Sequence, residues 1–435
     1  MTVELAIHGG PKTRTAPFPA HVTVGAEEKA RVCEVIDSGV LSNYLGAPHE
    51  NFYGGRYVRE CEAAWADSIG AAHALAFNSN TAGLIAAMGA IGVGPADEVI
   101  VTAYSMSISA IAPLFYGATP IFADVEPDTF CLDPASVEAA ITPRCKAIIA
   151  VDLFGQPFNG PALRALADRH GLKIIEDCAQ APGGQLHGTP TGLLGDIGVF
   201  SLNYHKHIHA GEGGIVVTQD AALAQRLAMI RNHGECVAGA WGIEDLRNMI
   251  GHNMRMTEIE AAIAKVQLGK LDLLLAERRD RVAYFEEQMR GFAPLTLPKV
   301  REGARHVYYA HACLWDTTCG LARNAFVEAV RAELPVFALR EKEGVKLGAG
   351  YVRPIYLLPA FEHRIALQGA ANGLTHSWQS YAPGLCPVVE DLHFNRLISH
   401  EFIVPSMERS DIDDVVRAFA KVWDARAALS QGVAA

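Results

Sequence analysis

The sequence predicts an α/β protein with a mostly parallel sheet, followed by a smaller α+β part. Three observations carry this. Short apolar runs alternate with helix-like stretches between residues 72 and 218. The runs are apolar throughout, as strands buried on both faces are, rather than apolar at every second residue. The stretches between them are long enough for the helical crossovers that parallel strands require.

The elements follow in order. AHALAFNS (72–79) reads as a strand and the Ala-rich TAGLIAAMGAIG (81–92) as a helix. EVIVTA (98–103), a segment around 109–116, and TPIFADV (119–125) come next. PASVEAAI (134–141) precedes AIIAVDLF (147–154), and PALRALADRHG (161–171) precedes KIIED (173–177). IVVT (215–218) adds one more strand. From Thr257 a long stretch carries apolar residues at three- and four-residue spacing, the period of a helix. Gly291, Pro294 and Pro298 break it. HVYYAHACLW (306–315) then reads as a strand, and 323–333 and 409–429 as helices. The expected division is a large part, 1–280 with an N-terminal arm, and a small one, 281–435.

Composition narrows the function classes. The 435 residues are 50% hydrophobic and 20% charged, which is material for a large core. Acidic residues outnumber basic ones by 48 to 37, a net charge of −11. That balance argues against a nucleic-acid coat or a polybasic membrane surface. The longest apolar candidate, 107–123, is interrupted by Ser, Pro and Gly and falls short of the ~20 residues that span a bilayer. The opening MTVELAIHGGPKTR lacks the order of a signal peptide. Nine scattered cysteines without a C-x-x-C pair read as reduced thiols. A cytoplasmic protein is expected, with neither nucleic acid nor membrane as partner.

Three sites carry chemistry. Ser79-Asn80-Thr81 lies between a strand and a helix, where unpaired N–H groups and a partial positive charge suit a phosphate; an ordinary helix cap accounts for the same residues. Asp177 ends the strand KII, so it points into the crevice where open α/β sheets gather ligands. A carboxylate there can pair with a cationic ring nitrogen, or simply cap the next turn. In GDIGVFSLNYHKHIHAGEGGIVVT (195–218), Lys206 follows Ser201 by five residues and precedes a Gly-Glu-Gly-Gly turn.

With that third site, the chain resembles the DegT/StrS-type sugar aminotransferases, pyridoxal-phosphate enzymes of fold type I, the aspartate aminotransferase fold. Ser201, Lys206 and 211–214 match the family's S-F-x-x-x-K and G-E-G-G. Asp177 and Gln180 match E-D-x-A-[QH]-A. Ser79–Thr81 matches S-G-T-x-A, with Asn80 in place of the usual glycine. GHNMRMTEIEAAIAKVQL (251–268) and VEPDTFCLDPASVEAAITPRCKAI (125–148) match as well, so the resemblance spans about 6–423.

The resemblance implies roles. Lys206 would hold pyridoxal 5'-phosphate covalently and shuttle protons. Asp177 would keep the pyridine nitrogen protonated. Gln180 would sit near the ring's phenolic oxygen. Thr81, the Ala82 N–H and Ser201 would hold the phosphate, with Asn80 beside them. Asn253 would reach the phosphate of a neighbouring subunit, which makes a homodimer with shared active sites. Met106 falls where the family stacks an aromatic ring on the cofactor; thioether gives a less flat platform. His205, His207 and His209 flank Lys206, and on an extended segment they would share a face. No carboxylate or cysteine accompanies them at ligand spacing, and the lysine register explains the segment, so no metal is expected.

The expected reaction is amino transfer from glutamate or glutamine to the keto group of a sugar or cyclitol. The segments LAIHGGPKTR (5–14), CLDP (131–134) and LPVFAL (334–339) lean toward the cyclitol branch. Substrate contacts are expected around Tyr44, 53–56 and 351–356. The competing readings are a lyase or dehydratase using the same cofactor, a cofactor-binding sensor, and a zinc hydrolase built on the histidines.

Overall fold

Two helices, α1 (Ala26–Ser38) and α2 (Arg56–Ile69), precede the central sheet. The computed structural model describes residues 4–362 and 381–430. The sheet comprises β1 (His73–Phe77), β2 (Glu98–Thr102), β3 (Thr119–Ala123), β4 (Cys145–Val151), β5 (Lys173–Asp177), β6 (Ile197–Ser201) and β7 (Gly214–Thr218). Its order is β1-β7-β6-β5-β4-β2-β3. The five strands from β6 to β3 are parallel, whereas β7 runs antiparallel to both of its neighbours. This is the mostly parallel sheet that the sequence predicts.

The continuous apolar runs have a direct cause. Successive strand residues point to opposite faces, and here both faces are covered. Val99 and Val101 enter one apolar cluster while Ile100 enters another. Ile149 and Ile148 divide in the same way, as do Val216 and Ile215.

Among the covering helices are α3 (Asn80–Ala90), α4 (Gly160–His170), α5 (Ala221–Arg231) and the 31-residue α6 (Glu258–Gln288). Helix α3 lies so close to the sheet that a Cβ at Gly83 would stand 2.7 Å from methyls of both Val199 and Val216. Thr257 opens α6 with a reciprocal cap, its side chain meeting the Glu260 N–H and Glu260 meeting the Thr257 N–H. Glu258 accepts the N–H groups of Gly55 and Tyr57, at 3.0 and 2.7 Å, and so fixes the start of α2. The segment around 109–116 forms two short turns, Ile108–Ile111 and Ala112–Tyr116.

Helix α6 passes through residue 280 without interruption. Beyond it, β8 (Leu295–Thr296), β9 (His311–Trp315), α7 (Arg323–Glu333), β10 (Leu347–Ala349), β11 (Leu397–His400) and α8 (Arg409–Asp424) follow. The strands form an antiparallel sheet in the order β8-β9-β11-β10. It packs on α7, α8 and the end of α6 through Phe285, Trp315, Phe326, Ile398 and Phe419. The strand expected over 306–315 begins only at His311. Tyr308 takes a left-handed φ of 51°, and the Val307 N–H donates to the Gly155 carbonyl instead of a sheet partner. The helix expected over 409–429 breaks at Ala425 into α8 and a short Arg426–Ser430 turn.

Candidate active site

The carboxyl ends of β5 and β6 meet the start of α3 at a cavity of about 710 Å³. Asn80, Thr81, Met106, Asp177, Gln180, Ser201 and Lys206 all line it. A backbone contact positions the helix. A Cβ at Gly214 would lie 2.4 Å from the Ser79 carbonyl carbon, so only glycine lets β7 start this close to α3. Ser79 caps the helix by accepting the Ala82 N–H at 3.0 Å. That leaves the N–H groups of Asn80 and Thr81, two residues of the cavity wall, with no helical carbonyl to bond.

Asp177 is 3% exposed. Its Oδ1 accepts the Asn80 side-chain amide and the Ala179 N–H, both at 3.1 Å. Its Oδ2 accepts nothing among the described residues. Burial pushes the carboxyl's pKa up, while these hydrogen bonds and the charge of Lys206 work against the rise. Across the cavity, the Lys206 Nζ stands 4.5 Å from the centre of the Tyr309 ring. Burial lowers the amine's pKa, Asp177 and Glu401 opposing. A lysine so placed holds more of the free-base nucleophile at neutral pH than an exposed one does.

Gln180 is fixed at both ends of its amide. Its Oε1 accepts the Phe154 N–H at 2.6 Å, and its Nε2 donates to the Tyr351 hydroxyl at 3.0 Å. Tyr351 is anchored in turn, its N–H donating to the Tyr104 hydroxyl at 2.8 Å. Glu176, next to Asp177, faces away and accepts the N–H groups of Gly192, Leu194 and Gly195. The strand thus uses consecutive carboxylates for opposite purposes, one for the cavity and one for a loop.

Residues 25–418 match the DegT/DnrJ/EryC1/StrS aminotransferase family. The chain belongs to this family. An L-glutamine:2-deoxy-scyllo-inosose aminotransferase of Streptomyces paromomycinus is 38% identical over 345 residues, covering 77% of this chain and 80% of its own. A UDP-N-acetyl-3-dehydro-alpha-D-glucosamine 3-aminotransferase of Acidithiobacillus ferrooxidans is 39% identical over 284 residues, covering 65% and 74%. The crystal structure of S. venezuelae DesV in complex with a ketimine intermediate aligns with a TM-score of 0.74 at 30% identity, covering 91% of this chain and 94% of DesV.

Pyridoxal phosphate is the cofactor of this aminotransferase, and the cavity's donor set fits it. The open Oδ2 of Asp177 suits a protonated ring nitrogen. The hydroxyls of Thr81 and Ser201, with the first turn of α3, suit the phosphate. Lys206 suits the aldehyde. When bound, the group supplies a carbonyl to accept the amine and a ring that withdraws electrons from it.

Not every predicted residue reaches the cavity of this DegT-type chain. Ala82 does not line it, because its N–H is already given to Ser79. Asn80 lines it but turns its amide to Asp177 and the Val199 carbonyl, so it orients the carboxylate. Asn253 lies outside it, exposed, with Oδ1 accepting the Arg255 Nε at 2.8 Å. Met106 stands at the rim, 54% exposed. Of the expected substrate contacts, Tyr351 lines the cavity; Tyr44 lies beneath the Arg231 guanidinium, and Tyr53 stacks on Trp241. The segment around Lys206 is not an extended strand: His205 lies in a turn and His207 in a bend. His205 meets Arg340, His207 is buried edge-on to Tyr309, and the His209 N–H donates to Gln267. Sequence reasoning missed Tyr309. Its signal was present, two adjacent tyrosines in 306–315, but a strand assignment hid the turn that aims one of them.

Proposed function

We propose that this chain is a homodimeric transaminase that moves the amino group of glutamine or glutamate to a keto group of a cyclitol or sugar. The observation that carries the reading is the placement of Lys206 and Asp177 in one cavity, an amine of lowered pKa and a buried carboxylate with one open oxygen. The relatives' names support both acceptor classes, and the cyclitol class is favoured by the motifs of 5–14, 131–134 and 334–339. Within the site, Asp177 would hold the ring nitrogen's proton, Gln180 would brace the ring, and the Lys206 amine would take the proton from the donor carbon.

A shared site in a dimer is supported by the surface near Asn253. Leu45, Leu246 and Ile250 are exposed there, and the Asn232 side chain, whose backbone pairs with that of Asn253, bonds the Leu45 carbonyl. Met106 and Phe115 add exposed apolar surface at the cavity rim. Exposed large apolar residues of this kind suit an interface. We also propose the division into a cofactor-holding part, 1–280, and a smaller part, 281–435; the separate sheet and apolar cluster of the latter support it. A cytoplasmic setting is supported by nine free cysteines.

The test is spectroscopic. Purified protein loaded with pyridoxal phosphate should lose its aldehyde-form absorbance on addition of glutamine or glutamate. It should regain it on addition of 2-deoxy-scyllo-inosose or a nucleotide-linked 3-keto sugar, with an aminated product by mass. If no amino acid changes the spectrum, the reading fails.

A further inference from the structure

Behind Asp177, the carboxyls of Asp152 and Glu176 meet in the interior, both without exposed surface. One oxygen of each and the Cys178 sulfur all lie within 4.8 Å of one another. We propose that the two carboxyls share a single proton, carried by Asp152, and that Asp152 so held is a positioning residue for the cofactor cavity. The positioning rests on the cofactor reading above; the shared proton does not.

Hydrogen bonds are divided unequally between the two. Glu176 accepts three backbone N–H groups, from Gly192 on Oε1 and from Leu194 and Gly195 on Oε2. Asp152 accepts one, the Phe158 N–H on Oδ1 at 3.0 Å. Its buried Oδ2 meets no donor among the described residues. Nor does any lysine, arginine or histidine among them pair with either carboxyl. Two buried carboxylates in contact do not both stay ionised without a cation. The charge belongs on Glu176, where three donors hold it. A proton on the Asp152 Oδ2 makes that oxygen the donor the pair lacks. Burial and the charge of Glu176 push the Asp152 pKa well up, the Phe158 N–H and the Cys178 thiol opposing.

The neighbouring groups leave this balance alone. Asp177 turns its carboxylate the other way, to Asn80 and Ala179. Cys178 donates to the Glu176 backbone carbonyl at 3.6 Å, and Cys131 to the Gln156 carbonyl at 3.3 Å. Arg301, beyond Cys131, is paired with Glu126. A metal ion suits these atoms less well than a proton does. Both oxygens of Glu176 are already taken by N–H groups. Burial and the two carboxyls keep Cys178 a thiol, where a metal takes a thiolate. A proton needs only the one open oxygen.

What the proton holds in place is a loop. The Asp152 N–H donates to the Asp177 carbonyl at 3.1 Å, which ties the ends of β4 and β5 together. From there the chain turns back onto the Asp152 carboxyl through the Phe158 N–H. Within the turn, Phe154 takes a left-handed φ of 59° and gives its N–H to the Gln180 Oε1. The next carbonyl, of Gly155, accepts the Val307 N–H, two residues before Tyr309. One loop therefore touches the segments that carry Asp177, Gln180 and Tyr309. A charge on Asp152 would repel Glu176 and open this turn at its root.

The experiment compares Asp152→Asn, whose amide can donate to Glu176 but cannot titrate, with Asp152→Ala. Infrared spectra of cofactor-free wild type minus Asp152→Asn at neutral pH should show a protonated-carboxyl C=O band that shifts in heavy water. Unfolded, Asp152 ionises at about pH 4; folded, it keeps its proton, so rising pH favours the unfolded chain. The stability of Asp152→Asn relative to wild type should therefore climb between about pH 5 and about pH 8, by up to about tenfold in the folding equilibrium per pH unit. A merely structural role leaves that difference flat. Asp152→Ala should bind pyridoxal phosphate at least about tenfold more weakly, and Asp152→Asn within about threefold of wild type, since only the first loses both hydrogen bonds. Absence of the carboxyl band, a stability difference flat with pH, or wild-type cofactor affinity in Asp152→Ala would each overturn the proposal. So would a stoichiometric divalent metal in wild type that Asp152→Asn loses. Should Asp152→Ala not fold, Asp152→Ser carries the same comparison. If wild type binds no pyridoxal phosphate, the cofactor reading fails, and the infrared and stability measurements still decide the shared proton.

Discussion

Burial works against a charge on Asp177, and its hydrogen-bond partners and Lys206 work for one. Asn80 and the Ala179 N–H commit one oxygen and leave the other open for the proposed ring nitrogen. A cation against that oxygen would pull the raised pKa back down. Asp177→Asn keeps shape and most hydrogen bonding but removes that stabilisation. We expect amino transfer to slow at least a hundredfold, close to 3 kcal/mol at ~1.4 kcal/mol per tenfold, with the melting temperature nearly unchanged; stopped-flow absorbance and a thermal scan check the two halves. Lys206→Ala should retain the cofactor without a covalent link, so borohydride reduction should leave no labelled peptide. Both positions were legible in the sequence, Lys206 from its spacing to Ser201 and to the glycine turn, and Asp177 from its place at the end of an apolar strand. Asn80 was legible only as a position. A side chain that turns from phosphate to carboxylate leaves no trace in the spacing, since its partner lies about 97 residues away.

At the scale of elements, the fit of β7 against α3 and the anchoring of α1 on α6 are the two contacts to break. Gly214→Ala places a methyl against the Ser79 carbonyl, so the start of α3 must shift. The expected outcome is weaker retention of cofactor on dialysis, with far-ultraviolet dichroism preserved. Glu28 of α1 is 1% exposed. Burial alone would raise its pKa, but hydrogen bonds from Lys270 and Gln267 of α6, and from the Gly25 N–H, outweigh that and bring it down to about 2. A folded-state pKa below the ordinary 4.5 means stability that is fully present above about pH 4.5 and fades as pH falls toward 2. Glu28→Gln should therefore lower stability at neutral pH and flatten its fall through that acid window, as urea titrations at stepped pH would measure. The strands were readable because both faces of the sheet are buried, which prints an unbroken apolar run. The start of β9 was not, because the Val307 N–H is taken by the distant Gly155 carbonyl and Tyr308 turns left-handed beside it.

For the whole molecule, the proposed dimer with shared sites makes the exposed Asn253 its test. Asn253→Ala and Lys206→Ala should each be poor catalysts alone. Once their subunits exchange, one site of each mixed dimer carries both lesions and the other neither, so up to a quarter of wild-type activity should return in an equimolar mixture at random assortment. Exchange demonstrated by mass without any recovery would make Asn253 a structural residue of its own chain. The division of the chain was only partly legible at this scale, since α6 runs straight through residue 280 and offers no linker to read.

The order of the central sheet also governs how the chain can reach its native state. β1 pairs only with β7, His73 facing Thr218, so the first strand synthesised waits about 145 residues for its neighbour. Closing a loop of that length costs entropy before any contact repays it, and such long-range pairings slow folding. The turn that brings Gly214 against Ser79 belongs to the same late event. The cavity-lining start of α3 is thus assembled when the sheet closes, and a nascent chain shorter than about 220 residues has no complete cavity to offer the cofactor.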